Sequence, residues 1–200
     1  MSTISKLGPA NHGQPLTNEE FLAGDYQEGF KYELIDGRLY VAAAPNLRHD
    51  WVTEWVADMV KLYARACPEI FSYVSRHARV FVPGRPELTT PEPDIAAYCD
   101  IPSDPDLNEI RWENYSPILV VEVLSADDPD KDLVRNVELY RQVPSIKEYW
   151  ILDNLTDGNR PSLRVYRRAG RRWRVLDFAF GETYTTRLLP GFSLVIDPRR

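Results

Sequence analysis

Apolar and polar positions recur along this chain with two different periods, which divide it into helices and strands. Residues 49–66 and 130–143 repeat apolar side chains at helical spacing, so both segments are predicted to be amphipathic helices. Residues 118–124 are almost wholly apolar and rich in β-branched side chains, which is typical of a strand buried on both faces. A further apolar run follows at 147–153. Strand, helix and strand in this order predict a right-handed crossover between two parallel strands.

Turn signals delimit the other predicted elements. A capping box at 17–20 predicts a short helix, and Asp36-Gly37 between two apolar runs predicts a β-hairpin. Further strands are predicted at 71–82, at 94–98, in an arginine-rich hairpin around Ala169-Gly170, and at 192–196. Together these elements predict one α/β domain over residues 17–200, with a mixed β-sheet flanked by helices and a C-terminal β-hairpin. Residues 1–16 show no period and are predicted to form a flexible N-terminal arm.

Composition excludes several classes of protein. A hydrophobic share of 44% with 27% charged residues is too apolar for a chain that is disordered throughout. Two cysteines without a CxxC spacing argue against a disulfide framework and a cysteine zinc site. Neither an apolar run of membrane-spanning length nor an apolar signal core is present, so we expect no membrane partner and a cytoplasmic location.

Positive charge is concentrated at the C-terminal end, although the formal net charge is −6. From Arg160 onward, ten arginines accompany only three acidic residues. In the predicted hairpin, alternation with apolar residues places four arginines on one face: Arg164, Arg168, Arg172 and Arg174. Such a face either follows the phosphates of a nucleic acid or is a solvated outer surface that balances acidic residues elsewhere. The sequence leaves both interpretations open.

Three carboxylates occupy apolar strand contexts. Glu122 lies inside the predicted buried strand, Asp94 begins an apolar strand after Pro93, and Glu33 is flanked by apolar residues in the first hairpin. A buried carboxylate is costly unless it is paired, hydrogen-bonded or bound to a metal. All three could lie at strand ends in water or in structural ion pairs. Carboxylates that converge from separate strands are, alternatively, typical ligands of Mg²⁺ or Mn²⁺.

An ordered set of short motifs resembles a known family. The set comprises YELIDGRLY, a helix that begins at His49, PEPDIAAY, ILVVEVLS, a DxxxNxxLY pattern and EYWILD. In this order the motifs resemble the Uma-type proteins, restriction-endonuclease-like members of the PD-(D/E)XK nuclease superfamily. The resemblance extends from about residue 17 to the C-terminal LPGFSL. It implies a restriction-endonuclease-like fold, metal-dependent hydrolysis of DNA phosphodiester bonds with Mg²⁺ or Mn²⁺, and a homodimer.

The resemblance also assigns roles to particular residues. Asp94 matches the acidic residue of the PD half-motif and Glu122 that of the (D/E)XK half, so both are expected to bind the metal. The carbonyl of Val123 is a plausible third ligand. Glu33 matches the upstream acidic residue, which binds or orients a second metal or water. His49 matches the histidine at the start of the following helix, where it is either a catalytic residue or a satisfied core residue.

The chain departs from the family pattern at its lysine. In the superfamily motif the lysine stands two residues after the glutamate, where this chain has Leu124. Uma-type proteins commonly carry it fourteen residues after the glutamate, where this chain has Asn136. Asparagine can orient a water but supplies no positive charge, and Arg135 or Lys131 would have to substitute. Two functions therefore stay open: a weakened endonuclease, or a catalytically degenerate nuclease-fold protein that binds nucleic acid or a protein partner.

Overall fold

The computed structural model of the chain describes residues 6–199. Its helices are α1 (Asn18–Leu22), α2 (Leu47–Ala66) and α3 (Asn136–Arg141), and a π-helical turn, Lys131–Arg135, leads directly into α3. Short 3₁₀ turns occur at Pro9–Asn11 and Trp112–Asn114. The strands are β1 (Phe30–Ile35), β2 (Arg38–Ala43), β3 (Tyr73–Ser75), β4 (Ile95–Tyr98), β5 (Leu119–Val123), β6 (Glu148–Asp153), β7 (Ser162–Ala169), β8 (Arg172–Phe178), β9 (Thr183–Thr186) and β10 (Leu189–Val195). Between residues 6 and 199, no helix combines the length and the apolarity that crossing a membrane requires.

A six-stranded mixed sheet with the order β3-β4-β5-β6-β7-β8 forms the centre of the fold. Strands β5 and β6 are parallel, and every other neighbouring pair in this sheet is antiparallel. The parallel pair is joined through the π-helical turn and α3, so the predicted strand–helix–strand unit and mixed sheet are confirmed. Two further antiparallel hairpins, β1-β2 and β9-β10, pack beside the sheet. The predicted C-terminal hairpin around Ala169-Gly170 forms as β7-β8, at the edge of the central sheet.

Each face of the central sheet packs against a different layer. Val121 and Val123 of β5 lie in one core cluster with Val56 of α2 and with β9 and β10. Val120 lies in a second cluster with Tyr140 of α3. Alternate residues of a strand point to opposite faces, so Glu122 shares the α3 face with Val120. The carboxylate of Glu122 therefore points toward α3.

The first hairpin places two charged side chains beside this layer. Asp36 and Gly37 both have positive φ, 48° and 69°, which is the backbone that a two-residue type I′ turn requires. The turn confirms the predicted hairpin and fixes its register. Lys31 and Glu33 are two residues apart on β1 and therefore project from the same face.

Two sequence-based predictions about local structure need correction, and one strand was missed. Residues 7–16 do not form a loose arm, because Leu7 exchanges backbone hydrogen bonds with Asp25 and Gln27, and residues 13–16 bond to the first hairpin. Residues 1–5 of the predicted arm lie outside the described residues. The predicted strand at 71–82 is confined to Tyr73–Ser75; farther along, Val80 and Val82 donate to the carbonyls of Pro91 and Thr89 without forming a strand. Strand β9 was not predicted.

The arginines of the β7-β8 hairpin do not lie on one face. The hairpin has a two-residue turn, Gly170-Arg171, which pairs Arg167 with Arg174 and Arg164 with Asp177. Residues opposite each other across an antiparallel pair share a face. Arg164 and Arg168 therefore project from one face, and Arg172 and Arg174 from the other. The prediction of a single arginine face is wrong, because the loop length couples even positions of β7 to odd positions of β8.

Candidate active site

Asp94 and Glu122 meet where β4 and β5 run side by side. The backbone N–H of Asp94 donates to Glu122 Oε2 at 3.1 Å, and the N–H of Val123 donates to Asp94 Oδ2 at 2.9 Å. Each carboxylate thus accepts a hydrogen bond from the backbone of the other's strand, which fixes the two groups relative to each other. The structure brings these two predicted site residues together. Both are buried.

Two nitrogen-bearing side chains contact the Asp94 carboxylate. The ammonium of Lys31 pairs with Oδ1, and His49 Nε2 lies 3.2 Å from Oδ2. The same Nε2 lies 2.9 Å from the carbonyl oxygen of Val123. Because Nε2 faces two acceptors, it carries a proton and donates. His49 therefore binds Asp94 and β5 together from the first turn of α2.

These contacts keep Asp94 ionised. Burial by itself would raise the pKa of Asp94, but the Lys31 ammonium and the hydrogen bond from His49 outweigh it and hold the pKa well below its usual value. Burial by itself would likewise lower the pKa of Lys31, but Asp94 and Glu122 raise it. The pair is therefore charged on both sides at neutral pH.

Glu122 has a different environment. Its Oε1 accepts from Asn136 Nδ2 at 3.0 Å and from the Tyr140 hydroxyl at 3.1 Å, and both donors are neutral. Within residues 6–199 no salt bridge reaches Glu122. Burial raises the pKa of Glu122 to about 7; Lys131 opposes the shift and Asp94 adds to it. Near neutral pH this carboxyl group is poised between its two protonation states.

Asn136, at the position where the resemblance implies a lysine, is engaged on both sides. Besides Glu122, its Nδ2 donates to Asp132 Oδ1 at 3.1 Å, and its Oδ1 accepts from Arg135 Nε at 3.1 Å. The side chain is fully buried. Asn136 thus holds Glu122 and Asp132 apart by a neutral bridge and brings no positive charge to the site.

The positive charge on this side comes from Lys131 and Arg135, and Glu33 holds both. Arg135 Nη2 donates to Glu33 Oε2 at 2.5 Å, and Lys131 Nζ lies 3.8 Å from Glu33 Oε1. The N–H of Glu92 also donates to Oε1. Burial would raise the pKa of Glu33, but Lys131 and Arg135 lower it overall. Both oxygens of Glu33 are therefore occupied, by two cations and one backbone N–H.

The π-helical turn brings Lys131 to the site. In a regular α-helix, residues five apart differ by roughly 140° around the axis. Here the N–H of Asn136 bonds to the carbonyl of Lys131, an i→i+5 bond that widens the turn and sets the two residues on nearly the same side. Lys131 Nζ also lies 3.7 Å from Asp132 Oδ1. Burial would lower the pKa of Lys131, but the surrounding carboxylates, Glu33 first, raise it.

An open cavity of about 630 Å³ gives access to this cluster. The charged side chains on its wall include Lys31, Asp94, Lys131 and Asp132. Glu122 is fully buried and does not form part of the cavity wall. A ligand that enters therefore meets Asp94 and two lysines first.

The donor chemistry fits a hard divalent cation. Asp94 and Glu122 offer carboxylate oxygens, and the Val123 carbonyl lies beside them with one lone pair engaged by His49. No group of three or more His, Cys, Asp and Glu residues between positions 6 and 199 is arranged to hold a metal. Mg²⁺ does not need such a cage, because it is usually bound by one or two carboxylates together with water and substrate phosphates. A cation at Asp94 Oδ1 would have to replace the Lys31 ammonium.

Sequence reasoning missed three residues of this site: Lys31, Asp132 and Tyr140. Lys31 could have been found, because its spacing of two from Glu33 places both on one face of a strand. Asp132 and Asn136 stand four apart, which is the spacing of neighbours on a helix. The pKa of Asp132 is raised well above its ordinary value, first by burial and then by Glu122. Tyr140 ends the DxxxNxxLY pattern, but the pattern assigned it no role, because a helical tyrosine is ordinarily a core residue.

A known protein family matches most of this chain. The family model of Uma2, described as "Putative restriction endonuclease", matches residues 18–197, which include every helix and strand from α1 to β10. The chain belongs to the Uma2 family. The expected family resemblance is thereby confirmed, and a nuclease-like function is supported. No curated protein matches the chain.

A solved structure supports the same fold for this Uma2 protein. The crystal structure of a "putative nuclease belonging to DUF820" from Anabaena variabilis superposes with a TM-score of 0.66. The two chains are 19% identical, and the match covers 91% of this chain and 96% of the other. At this identity the likeness shows the fold alone. The predicted nuclease-like α/β fold is confirmed.

The arginines predicted to bind nucleic acid divide into different environments. Arg164 pairs with Asp177 at 2.7 Å. Arg168 donates to the carbonyls of four residues at the end of α3 and just after it, and its guanidinium stacks on Trp173. Arg168 therefore caps the C-terminal end of α3. Nothing in the local sequence predicted this role. Arg172 and Arg174 are exposed on the opposite face.

Proposed function

We propose that this Uma2 protein is a metal-dependent endonuclease that hydrolyses DNA phosphodiester bonds, and that Asp94 and Glu122 form its active site. The observation that carries the proposal is the pair itself: two buried carboxylates from adjacent strands, each hydrogen-bonded to the backbone of the other's strand, behind a cavity that also presents Lys31 and Lys131. Membership of the Uma2 family supports a nuclease-like activity. The choice of DNA as the polymer is part of the proposal.

Mg²⁺ or Mn²⁺ would be held by Asp94 and Glu122, with the Val123 carbonyl as a further oxygen. When bound, the cation lowers the pKa of a water molecule and stabilises charge on the phosphoryl group. His49 acts as a positioning residue, since its Nε2 donates to both the Val123 carbonyl and Asp94. Lys31 keeps Asp94 charged and yields Oδ1 to the cation.

Lys131 takes the place of the lysine that the family carries at position 136. Its ammonium lines the cavity, lies among Glu33 and Asp132, and retains its charge because those carboxylates raise its pKa. A positive charge aimed at the cavity orients an attacking water and offsets charge that develops on the phosphate. Asn136 then has a structural part, because its amide holds Glu122 and Asp132. Glu33 positions Lys131 and Arg135.

A plasmid-nicking assay in Mg²⁺ and in Mn²⁺ tests the proposal. We expect wild-type cleavage, a loss of about 10²–10³-fold or more in Asp94→Asn, which weakens the hold on the cation, and a loss of similar order in Lys131→Ala, which removes a positive charge that stabilises the transition state. Asp100→Asn is the matched control, because Asp100 is exposed just beyond the same strand. Cleavage that survives Asp94→Asn would overturn the assignment of the site.

The second candidate, a catalytically degenerate nuclease-fold protein that binds nucleic acid or a protein partner, is favoured by one observation. Asn136 and Leu124 stand at both positions where a lysine is implied, and the Asn136 amide is consumed by carboxylates. If the wild type cleaves nothing while Asn136→Lys cleaves DNA, this candidate is correct. If wild type and Asn136→Lys cleave alike, Lys131 is sufficient.

The homodimer also belongs to the proposal. An exposed apolar row on α2, formed by Leu47, Trp51 and Leu62, offers a surface for a second copy of the chain. Light scattering at tens of micromolar should give twice the chain mass of 23.1 kDa. A single chain mass at that concentration would exclude the dimer.

A further inference from the structure

A second cavity, of about 540 Å³, lies at the other end of β6 and is strongly basic. Five cationic side chains line it, together with the buried Glu148: Lys147, Arg167, Arg168, Arg174 and Arg187. Glu148 is two residues from Trp150 of the α2-side core cluster and projects from the same face, opposite Glu122, whereas Arg168 reaches the cavity from the α3 face. The cavity shares no lining residue with the cavity at Asp94.

The charges of this cavity are only partly balanced from within. Glu148 Oε1 accepts from Arg167 Nε at 2.7 Å, and the Arg168 guanidinium is occupied by backbone carbonyls. Across residues 6–199, neither Arg174 nor Arg187 forms a salt bridge. With Lys147, whose Nζ donates to the Pro144 carbonyl, they leave a concentration of positive charge in a chain whose formal net charge is −6.

Arg174 lies beside a second guanidinium. It is directly opposite Arg167 in the β7-β8 register, where like charges are unfavourable unless they are compensated. Glu148 balances the charge of Arg167. Arg174 has no such counter-ion between residues 6 and 199, and its exposed side chain is open to an anion from solution.

We propose that this cavity binds phosphoryl groups through Arg174 and Arg187, with Arg167 and Lys147 at its rim. Guanidinium groups bind phosphate through paired, charge-assisted hydrogen bonds, which favours phosphoryl oxygens over a simple halide. The phosphoryl group belongs either to a free phosphate or to a nucleic-acid backbone. The site does not depend on the proposed nuclease activity, because it shares no residue with the carboxylate cluster.

Calorimetry with pyrophosphate and inorganic phosphate, at one fixed ionic strength, tests the site. We expect the wild type to bind pyrophosphate and the double variant Arg174→Ser/Arg187→Ser to bind it at least roughly tenfold more weakly. The matched control is Arg171→Ser/Arg172→Ser, which removes the same charge from the same hairpin outside the cavity and should change affinity less than about twofold. Equal melting temperatures of the two double variants confirm that both are folded.

A duplex oligonucleotide and a neutral-backbone analogue of the same sequence identify the source of the phosphoryl group. Weaker binding of the charged duplex by Arg174→Ser/Arg187→Ser than by the control assigns the site to a nucleic-acid backbone, whereas loss of pyrophosphate binding alone assigns it to free phosphate. The proposal is overturned if the wild type binds none of these anions, or if both double variants lose affinity equally.

Discussion

Glu122 and Glu148 lie on neighbouring parallel strands, and both are buried, at 0% and 1% exposure, yet their surroundings differ. Glu148 accepts from a guanidinium, an indole and two hydroxyl groups, those of Arg167, Trp150, Tyr184 and Thr186. Glu122 accepts from an amide, a phenol and one backbone N–H. Of these two glutamates, only Glu148 has a cation at salt-bridge distance among residues 6–199.

The comparison separates two uses of a buried carboxylate. A group with a complete donor shell that includes a cation is stable as it stands, and it fixes the packing of the strands around it. A group surrounded by neutral donors and other carboxylates is left with an unbalanced negative charge, which a metal ion can neutralise. Glu148 therefore behaves as a structural residue, and Glu122 as a candidate ligand.

Replacing each glutamate by glutamine should lower the free energy of unfolding far more at position 148 than at position 122. Glu148→Gln leaves Arg167 without its counter-ion and should lower the free energy of unfolding by about 3 kcal/mol, at the low end of the range for broken buried pairs because Arg167 is partly exposed. Glu122→Gln should change it by less than about 1 kcal/mol at pH 6, since its donors are neutral. Urea unfolding measures both. A larger loss in Glu122→Gln would reverse the comparison.

The helix cap provides the next largest effect. Arg168→Ala removes the donor to several carbonyls at the end of α3, and we expect a loss of about 2 kcal/mol in the free energy of unfolding. Arg172→Ala is the matched control on the same hairpin and should change stability by less than about 0.5 kcal/mol. Equal losses would show that Arg168 is a surface residue like its neighbour.

The pH dependence of stability should reveal Glu122. Its pKa is raised from 4.5 to about 7 in the fold, so between these values the folded state holds a proton that the unfolded state has released. The contribution of Glu122 to the free energy of unfolding of the metal-free protein should therefore fall by about 2–3 kcal/mol as the pH rises from 4.5 to 7. The fall should be smaller in Glu122→Gln. Parallel curves for the two proteins would contradict the raised pKa.

The smallest effect concerns the competition between Lys31 and a cation. The Lys31 ammonium occupies Asp94 Oδ1, so Lys31→Met should strengthen Mn²⁺ binding by roughly threefold to tenfold. Lys6→Met, which removes a lysine from an exposed pair with Asp25, should leave the affinity unchanged. Mn²⁺ titration followed by calorimetry provides the measurement. Weaker binding in Lys31→Met would mean that Lys31 orders Asp94 for the metal.

Local signals in the sequence determined much of the fold. The buried run at β5, the helical period of α2 and the Asp36-Gly37 turn each reflect interactions between residues close together in the chain, and all three elements form as predicted. The same signals identified Asp94 and Glu122, because a carboxylate in an apolar strand stands out without any knowledge of its partners. The prediction for segment 71–82 failed because Val80 and Val82 are buried in the core without strand pairing, and their backbone N–H groups bond only to residues 89–91.

Only the tertiary structure decided which charges meet. Lys31 is 63 residues from Asp94 in the chain, and Arg135 is 102 residues from Glu33, so no local pattern could pair them. The π-helical turn that brings Lys131 beside the site depends on one shifted backbone hydrogen bond, which composition does not encode. The faces of the arginine hairpin likewise followed from a two-residue turn. Sequence thus determined which residues are unusual, whereas the long-range packing of strands and helices determined what each of them does.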